Sequence, residues 1–346
     1  MKQDIGQVVV IGASAGGVEA TTRLVRRLPS GIKAPVLIAV HMSSNAPSAL
    51  PGILSRAGDL EARHPADGEP MRNGVIYVAP PDHHLLVEGD VVRVVRGPRE
   101  NGHRPAIDPL FRSAARHYGT RAVGVVLSGV LDDGSAGLCV LKQAGGVAVV
   151  QDPDDALYQP MPRNAMQATE VDHVAPALDI GPLLAKVVDE LDSRGLERNA
   201  VADEKLDVEL SLITMETDDP SEGEGLAPPS PFSCPDCQGV LNEVSAAGLP
   251  GYRCRVGHAW AAESLLAAQT MHLETALWMA LRSLEEKVSL ARRLAARARG
   301  NDSPHSEQRF SAQAHDAQAG ADAIRSLLAH TGALAQPAGD AAVSGG

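Results

Sequence analysis

Gln7-Val-Val-Val-Ile-Gly-Ala-Ser-Ala-Gly-Gly17 carries a β-branched run into a glycine-flanked turn with one hydroxyl at its tip. Val8 to Ile11 have no polar interruption, the pattern of a strand covered on both faces. Gly12 and Gly16 bracket Ser14 as Gly-x-Ser-x-Gly, and helical sequence follows from Val18 to Arg27. A serine on such a turn stands in the open beside backbone N–H groups of the next helix. That suits a nucleophile whose intermediate carries negative charge. Nucleotide binding is the rival reading. It wants a small middle residue where Ser14 stands, and an acid at the end of the second strand, which here ends in His41. No Gly-Lys-Ser/Thr of a P-loop is present.

Similar apolar runs recur at Val36–Val40, Val75–Ala79, Val123–Leu127 and Val147–Val150, with helical stretches near 17–28, 106–118, 134–144 and 180–192. This alternation predicts an α/β fold, a doubly wound, mainly parallel sheet with helices on both faces. Leu85–Val87 and Val91–Val95, joined by Glu88-Gly89-Asp90, predict an inserted hairpin. Sites in such folds form at the carboxyl ends of the strands.

The chain has 346 residues, room for two domains, and a formal charge of −12 that argues against nucleic acid as a partner. No run approaches the roughly 18 apolar residues of a spanning helix, and Met-Lys-Gln-Asp-Ile does not resemble a signal peptide. The expectation is a cytoplasmic protein with no direct membrane insertion. The α/β region spans 1–194. Residues 195–231 turn acidic and rich in Pro, Gly and Ser, with nine acids against one lysine between Asp203 and Glu224, which predicts a flexible linker. A cysteine module follows at 232–264, then two helices at 265–334 and a disordered tail at 335–346. Leu273, Leu277, Leu281, Leu284 and Val288 stripe the first helix, and Phe310, Ala314, Ala317, Ala321, Ile324 and Leu328 the second. They predict a helical hairpin, or a homodimer if the first helix pairs across chains.

His41 follows the second buried strand at the same edge as Ser14. Val125-Val-Leu-Ser-Gly-Val-Leu-Asp-Asp-Gly134 brings Asp132 and Asp133 to the end of another, where either could instead cap the next helix. Ser, His and Asp from three strand ends point to an acyl-transfer triad, recognised by roles rather than chain order.

Gly12-Ala-Ser-Ala-Gly-Gly17, Val40-His-Met42, His103-Arg-Pro-Ala-Ile-Asp108, Leu127-Ser-Gly-Val-Leu-Asp-Asp-Gly-Ser-Ala-Gly137 and Met161-Pro-Arg163 closely resemble the catalytic domain of the chemotaxis protein-glutamate methylesterases. The resemblance covers about residues 5 to 192. It implies that Ser14 is the nucleophile, His41 the general base and Asp133 the residue that orients it. Asp132 falls where the family usually has Asn, and Val130 where it usually has Met. Hydrolysis of glutamate methyl esters on a protein such as a chemoreceptor cytoplasmic helix would follow, with glutamine deamidation as a side activity and no cofactor for catalysis. The N–H groups of Ala15 and Val130 are candidates to hold the oxyanion, and Arg104 and Arg163 to hold substrate or to pair on the scaffold. The family's well-studied members place a receiver domain ahead of this unit. Here the first strand begins within ten residues of Met1, so none is expected.

Cys234-Pro-Asp-Cys237 and Cys254-Arg-Val-Gly-His258 give Cys-x₂-Cys-x₁₆-Cys-x₃-His, a spacing that closes a tetrahedron around structural Zn²⁺ in a zinc-ribbon-like module. Four protein ligands leave no open position for chemistry. A non-catalytic signalling adaptor working through this module and the helices is the competing function, and it has no need of Ser14, His41 and Asp133 together.

Overall fold

The opening β-branched run becomes the central strand of a seven-stranded sheet. The computed structural model describes residues 5–42, 47–194, 203–215 and 228–334. In chain order the first ten strands are β1 (Val8–Ala13), β2 (Val36–Val40), β3 (Glu61–Arg63), β4 (Glu69–Pro70), β5 (Val75–Val78), β6 (His84–Glu88), β7 (Val91–Val95), β8 (Ala122–Val126), β9 (Val147–Gln151) and β10 (His173–Ala175). The large sheet runs β10-β9-β8-β1-β2-β5-β3, and every pair in it is parallel.

Helices α1 (Gly17–Val25), α2 (Leu50–Ala57), α3 (Ile107–Tyr118), α4 (Ser135–Gln143), α5 (Pro160–Ala168) and α6 (Ala177–Ser193) cover it. Leu24, Leu54, Ile180 and Leu184 of α1, α2 and α6 pack on one face with Val9, Ile11 and Ile38. Ile107, Phe111, Leu138 and Met161 of α3, α4 and α5 pack on the other with Val8, Val10 and Leu37. Period-2 strands buried on both sides read as continuous apolar runs for this reason. After β1 the chain moves outward through β2, then returns to place β8 on the opposite flank of β1. Such a switch leaves a crevice at the carboxyl ends of β1, β2 and β8.

The predicted hairpin is β6 and β7, with β4 completing an antiparallel sheet of order β4-β7-β6. The acidic stretch expected to be a flexible linker departs from that reading. Glu204–Thr214 forms a helix, α7. Leu206 and Ile213 are buried, and Ile213 packs with Leu86 and Val95. Its acids find cations on α3: Glu209 pairs with Arg112 at 3.1 Å and Asp207 with Arg116 at 2.5 Å. Composition reported the charge and missed the basic partners. The rest of the expected linker up to 227, and the tail at 335–346, lie outside the described residues apart from Asp203 and Met215.

Strands β11 (Pro229–Ser233), β12 (Val240–Ala246), β13 (Leu249–Cys254) and β14 (Ala259–Ala261) form a four-stranded antiparallel sheet that carries the cysteines. The first compact unit extends to Leu265 and includes this sheet. Helix α8 (Ala262–Gly300) begins in that unit, and from Leu266 onward it forms a helical hairpin with α9 (Pro304–Leu334) in the second. Leu281, Ala321 and Leu328 are buried at its seam with Leu277, Leu284 and Ile324. Leu273, placed in the same stripe by its spacing, is 55% exposed.

Candidate active site

Three loops at the carboxyl ends of β1, β2 and β8 meet where the sequence motifs predicted. Ser14 follows β1, His41 follows β2, and Asp133 lies in the loop between β8 and α4. His41 Nδ1 is 3.0 Å from Ser14 Oγ, and His41 Nε2 is 2.6 Å from Asp133 Oδ2. The Ser14 amide donates to the Ser128 carbonyl at 3.0 Å, and the Ser128 hydroxyl donates to the Ala15 carbonyl at 2.8 Å. These bonds tie the serine turn to the β8 loop. Gly16 has a φ of +71°, and a Cβ there would stand 2.7 Å from Ser128 Oγ, so the turn needs glycine on two counts. Gly12 lets α3 approach: a Cβ would meet Ile107 Cγ2 at 2.2 Å.

Asp133 is buried and its two oxygens accept four hydrogen bonds. Oδ2 takes His41 and the Ile107 amide at 2.8 Å, while Oδ1 takes the Asn101 side-chain amide at 3.0 Å and the Asp108 amide at 3.3 Å. Burial alone would raise its pKa, but the hydrogen bond and charge of His41 and the Ile107 amide outweigh that and hold it below the usual carboxylate range. Asp133 therefore caps α3, not its own helix α4. That task falls to Asp108, whose Oδ1 accepts from the amides of Gly134 at 3.0 Å and Gly137 at 2.6 Å. Burial first, then the neighbouring Asp133 charge, pushes Asp108 well above its ordinary value. The two acids thus divide into a charged one facing His41 and one biased toward its neutral form behind it.

His103 lies flat on His41, with ring centroids 3.7 Å apart and planes 14° from parallel. Burial, with a smaller effect from His41, lowers His103 to about 4. A neutral ring therefore faces His41 near neutral pH, and a charge arising there meets a π face rather than a second cation. Ser14 and His41 open on a surface cavity of about 690 Å³, lined also by Val18, Glu19, Arg23, Arg26 and Leu178.

The family model for CheB methylesterase matches residues 9–184. The chain belongs to the CheB methylesterase family. Residues 9–184 are its methylesterase domain. A relative from Leptospira interrogans is 37% identical over 193 residues, which cover 56% of this chain and 98% of the relative. Protein-glutamate methylesterase/protein-glutamine glutaminase 2 of Caulobacter vibrioides is 38% identical over 184 residues, 52% of this chain and 53% of that protein. The crystal structure of the Thermotoga maritima CheB methylesterase catalytic domain superposes with a TM-score of 0.51 at 29% identity, covering 53% of this chain and 98% of that one. This chain thus spans about half the length of the Caulobacter relative and nearly all of the Leptospira one.

Around the Ser14–His41–Asp133 cluster the other sequence candidates separate. Ala15 follows Ser14 directly, and Val130, 40% exposed, sits in the β8 loop. Neither amide has a hydrogen-bond partner among the described residues. Arg104 is committed to the scaffold, with Asp82 at 2.6 and 3.0 Å and the Gly97 carbonyl at 2.6 Å. Arg163 bonds Gln159 at 3.0 Å and does not line the opening. His103 and Ser128 lie inside motifs whose spacing gives them no role, and Asn101 lies outside every motif. Nothing in spacing marks Asn101 for its bonds to Asp133 and Ala261, 32 and 160 positions away.

Outside the family match, Cys234, Cys237, Cys254 and His258 bring their ligand atoms within 4.8 Å of one another, compatible with a structural metal. His258 Nδ1 is 3.7 Å from Cys234 Sγ and 3.6 Å from Cys254 Sγ, and Cys237 and Cys254 sulfurs are 3.6 Å apart. A tetrahedron with 2.3 Å metal–sulfur bonds has edges of about 3.8 Å. The donors fit. Burial and the adjacent thiols push Cys254 up to about 12, a cost that a divalent cation would remove by taking the thiolates.

Proposed function

We propose that this chain hydrolyses γ-methyl esters of glutamate side chains on a protein, with Ser14, His41 and Asp133 as its catalytic triad. The observation that carries this reading is the unbroken relay from Ser14 Oγ through His41 to Asp133, at 3.0 and 2.6 Å, inside a methylesterase domain. Ser14 Oγ attacks the ester carbonyl carbon as its proton passes to His41 Nδ1. The Nε2–H of His41 stays donated to Asp133 Oδ2, which fixes the tautomer and stabilises the imidazolium. The tetrahedral oxyanion points to the N–H groups of Ala15 and Val130, each donor contributing about 3 kcal/mol in comparable sites. His41 returns its proton to the departing methoxide, so methanol leaves. Water, deprotonated by the same nitrogen, then attacks the acyl carbon, and His41 gives that proton to Ser14 Oγ as the acyl–oxygen bond breaks and the glutamate carboxylate leaves. A glutamine amide entering the same site would release ammonia instead, in keeping with the second activity in the Caulobacter relative's name.

A glutamate ester presented from a helix, as on a chemoreceptor's cytoplasmic segment, suits the surface cavity onto which Ser14 and His41 open. Val130, Leu157 and Tyr158 are exposed next to the serine turn and offer apolar contact around the reacting side chain. The metal module is best served by Zn²⁺, which three thiols and an imidazole suit, and cysteines gathered in this way are in keeping with a reducing cytoplasm. No described helix is long and apolar enough to cross a membrane. A homodimer through α8 is supported by its exposed Leu273, Trp278 and Met279.

Methanol release from methylated receptor fragments tests the reading. Wild type should turn over, and Ser14→Ala should fall by about 10⁴–10⁶-fold. Turnover near the wild-type rate in that variant would remove Ser14 from the mechanism.

A further inference from the structure

The metal module does not stand apart from the catalytic centre. Segment Arg99–Asn101 lies alongside β14 as an added strand: the Ala259 amide donates to the Arg99 carbonyl at 3.2 Å, and the Asn101 amide to the Ala259 carbonyl at 2.8 Å. The next link is a side chain. Asn101 Oδ1 accepts from the Ala261 amide at 2.7 Å, while its Nδ2 donates to Asp133 Oδ1 at 3.0 Å. Asn101 is 6% exposed, so neither bond competes freely with water. One amide thus joins the strand that follows His258 to the carboxylate that holds His41.

Two further contacts pin the same junction. Buried Glu100 is held by Arg112 of α3 at 2.7 Å and by Arg253, next to Cys254, at 3.4 Å. Asp132 accepts from Ser264 Oγ at 2.5 Å and from the Glu263 amide at 3.3 Å. Both acids of the β8 loop are therefore tied, directly or through Asn101, to the segment just beyond the metal ligands. Removing the ion from a module with so small a core would free β13 and β14, since metal binding supplies much of the folding energy of such units.

We propose that the Cys₃His module is a metal-dependent brace of the triad, with Asn101 the positioning residue that carries its order to Asp133. This rests on the esterase and metal readings above. Asn101 touches no substrate. It fixes the carboxylate, which fixes the imidazole, and small displacements of such groups cost about 10–100-fold in turnover.

The test uses the full chain loaded with Zn²⁺, then stripped by a chelator and checked by native mass spectrometry. Two readouts are followed: the downfield proton resonance of the short His41–Asp133 hydrogen bond, and kcat and KM for methanol release. Stripping should shift or broaden that proton and lower kcat about 10–100-fold with KM nearly unchanged, and added Zn²⁺ should restore both. Asn101→Gly, which accepts the φ of +53° at this position, should reproduce the defect while still loaded. Stripping should then add little. The brace is overturned if no ion is retained, if the ion leaves with proton and kcat unmoved, or if stripping costs Asn101→Gly as much as wild type. If loaded wild type releases no methanol, the esterase reading fails, and the His41 proton alone still decides the brace.

Discussion

Replacing His103 by phenylalanine keeps a flat ring on His41 and removes one titration. The imidazole sits 3.7 Å from His41 and is lowered from 6.5 to about 4, chiefly by burial. The folded chain therefore refuses a proton that the unfolded chain accepts. Between about 6.5 and 4 the unfolded state binds more protons, so stability falls as the pH falls, and the full gap is worth about 3 kcal/mol. From pH 7.5 to 4.5 the share is about 2.5 kcal/mol by the same linkage. Asp133, held below its ordinary value, contributes stability above its unfolded pKa that is lost only at still lower pH, so it is silent in this window. Asp108 is raised and acts in the opposite sense, favouring the fold at low pH, but it does so in both proteins and cancels. Urea unfolding of wild type and His103→Phe at the two pH values is the assay. Wild type should lose about 2.5 kcal/mol more than the variant on acidification. Equal losses, within about 0.5 kcal/mol, would mean that His103 titrates as if in water and that the neutral face beside His41 does not exist.

Two other substitutions probe the frame. Asp133→Asn puts an NH₂ where four donors converge, whichever way the amide turns, so kcat should fall about 10⁴-fold and one or two orphaned donors should cost about 1–3 kcal/mol each. Methanol release and thermal unfolding check both, and retention of a tenth of the activity would refute the charged, acceptor-only role. Gly97→Ala would set a Cβ 1.9 Å from the Ile213 carbonyl oxygen, so α7 must move off the hairpin. Faster protease cleavage within 203–215, with a loss of about 1–3 kcal/mol, is the expected result.

The period and composition of the apolar runs already contained the α/β alternation. Val8–Ile11 and Val36–Val40 are uninterrupted because both faces of those strands are covered, and that requirement acts on each residue locally. Ser14, His41 and Asp133 were legible because strand ends are marked by glycines and polar residues, and a parallel sheet brings those ends to one edge. The convergence of Cys234, Cys237, Cys254 and His258 was legible because two short loops at that spacing bring four donors together. What the chain did not reveal were pairings set by distance in space. Helix α7 forms in an acidic stretch because Arg112 and Arg116 wait on α3. His103 becomes a neutral ring because the fold lays it on His41 and takes it out of water. Asn101 acquires a task because Asp133, 32 residues ahead, and Ala261, 160 residues ahead, converge on its amide. Local pattern fixes which segments are strands, helices and turns. Burial and opposed charges, known only once those segments pack, decide what each polar side chain is there to do.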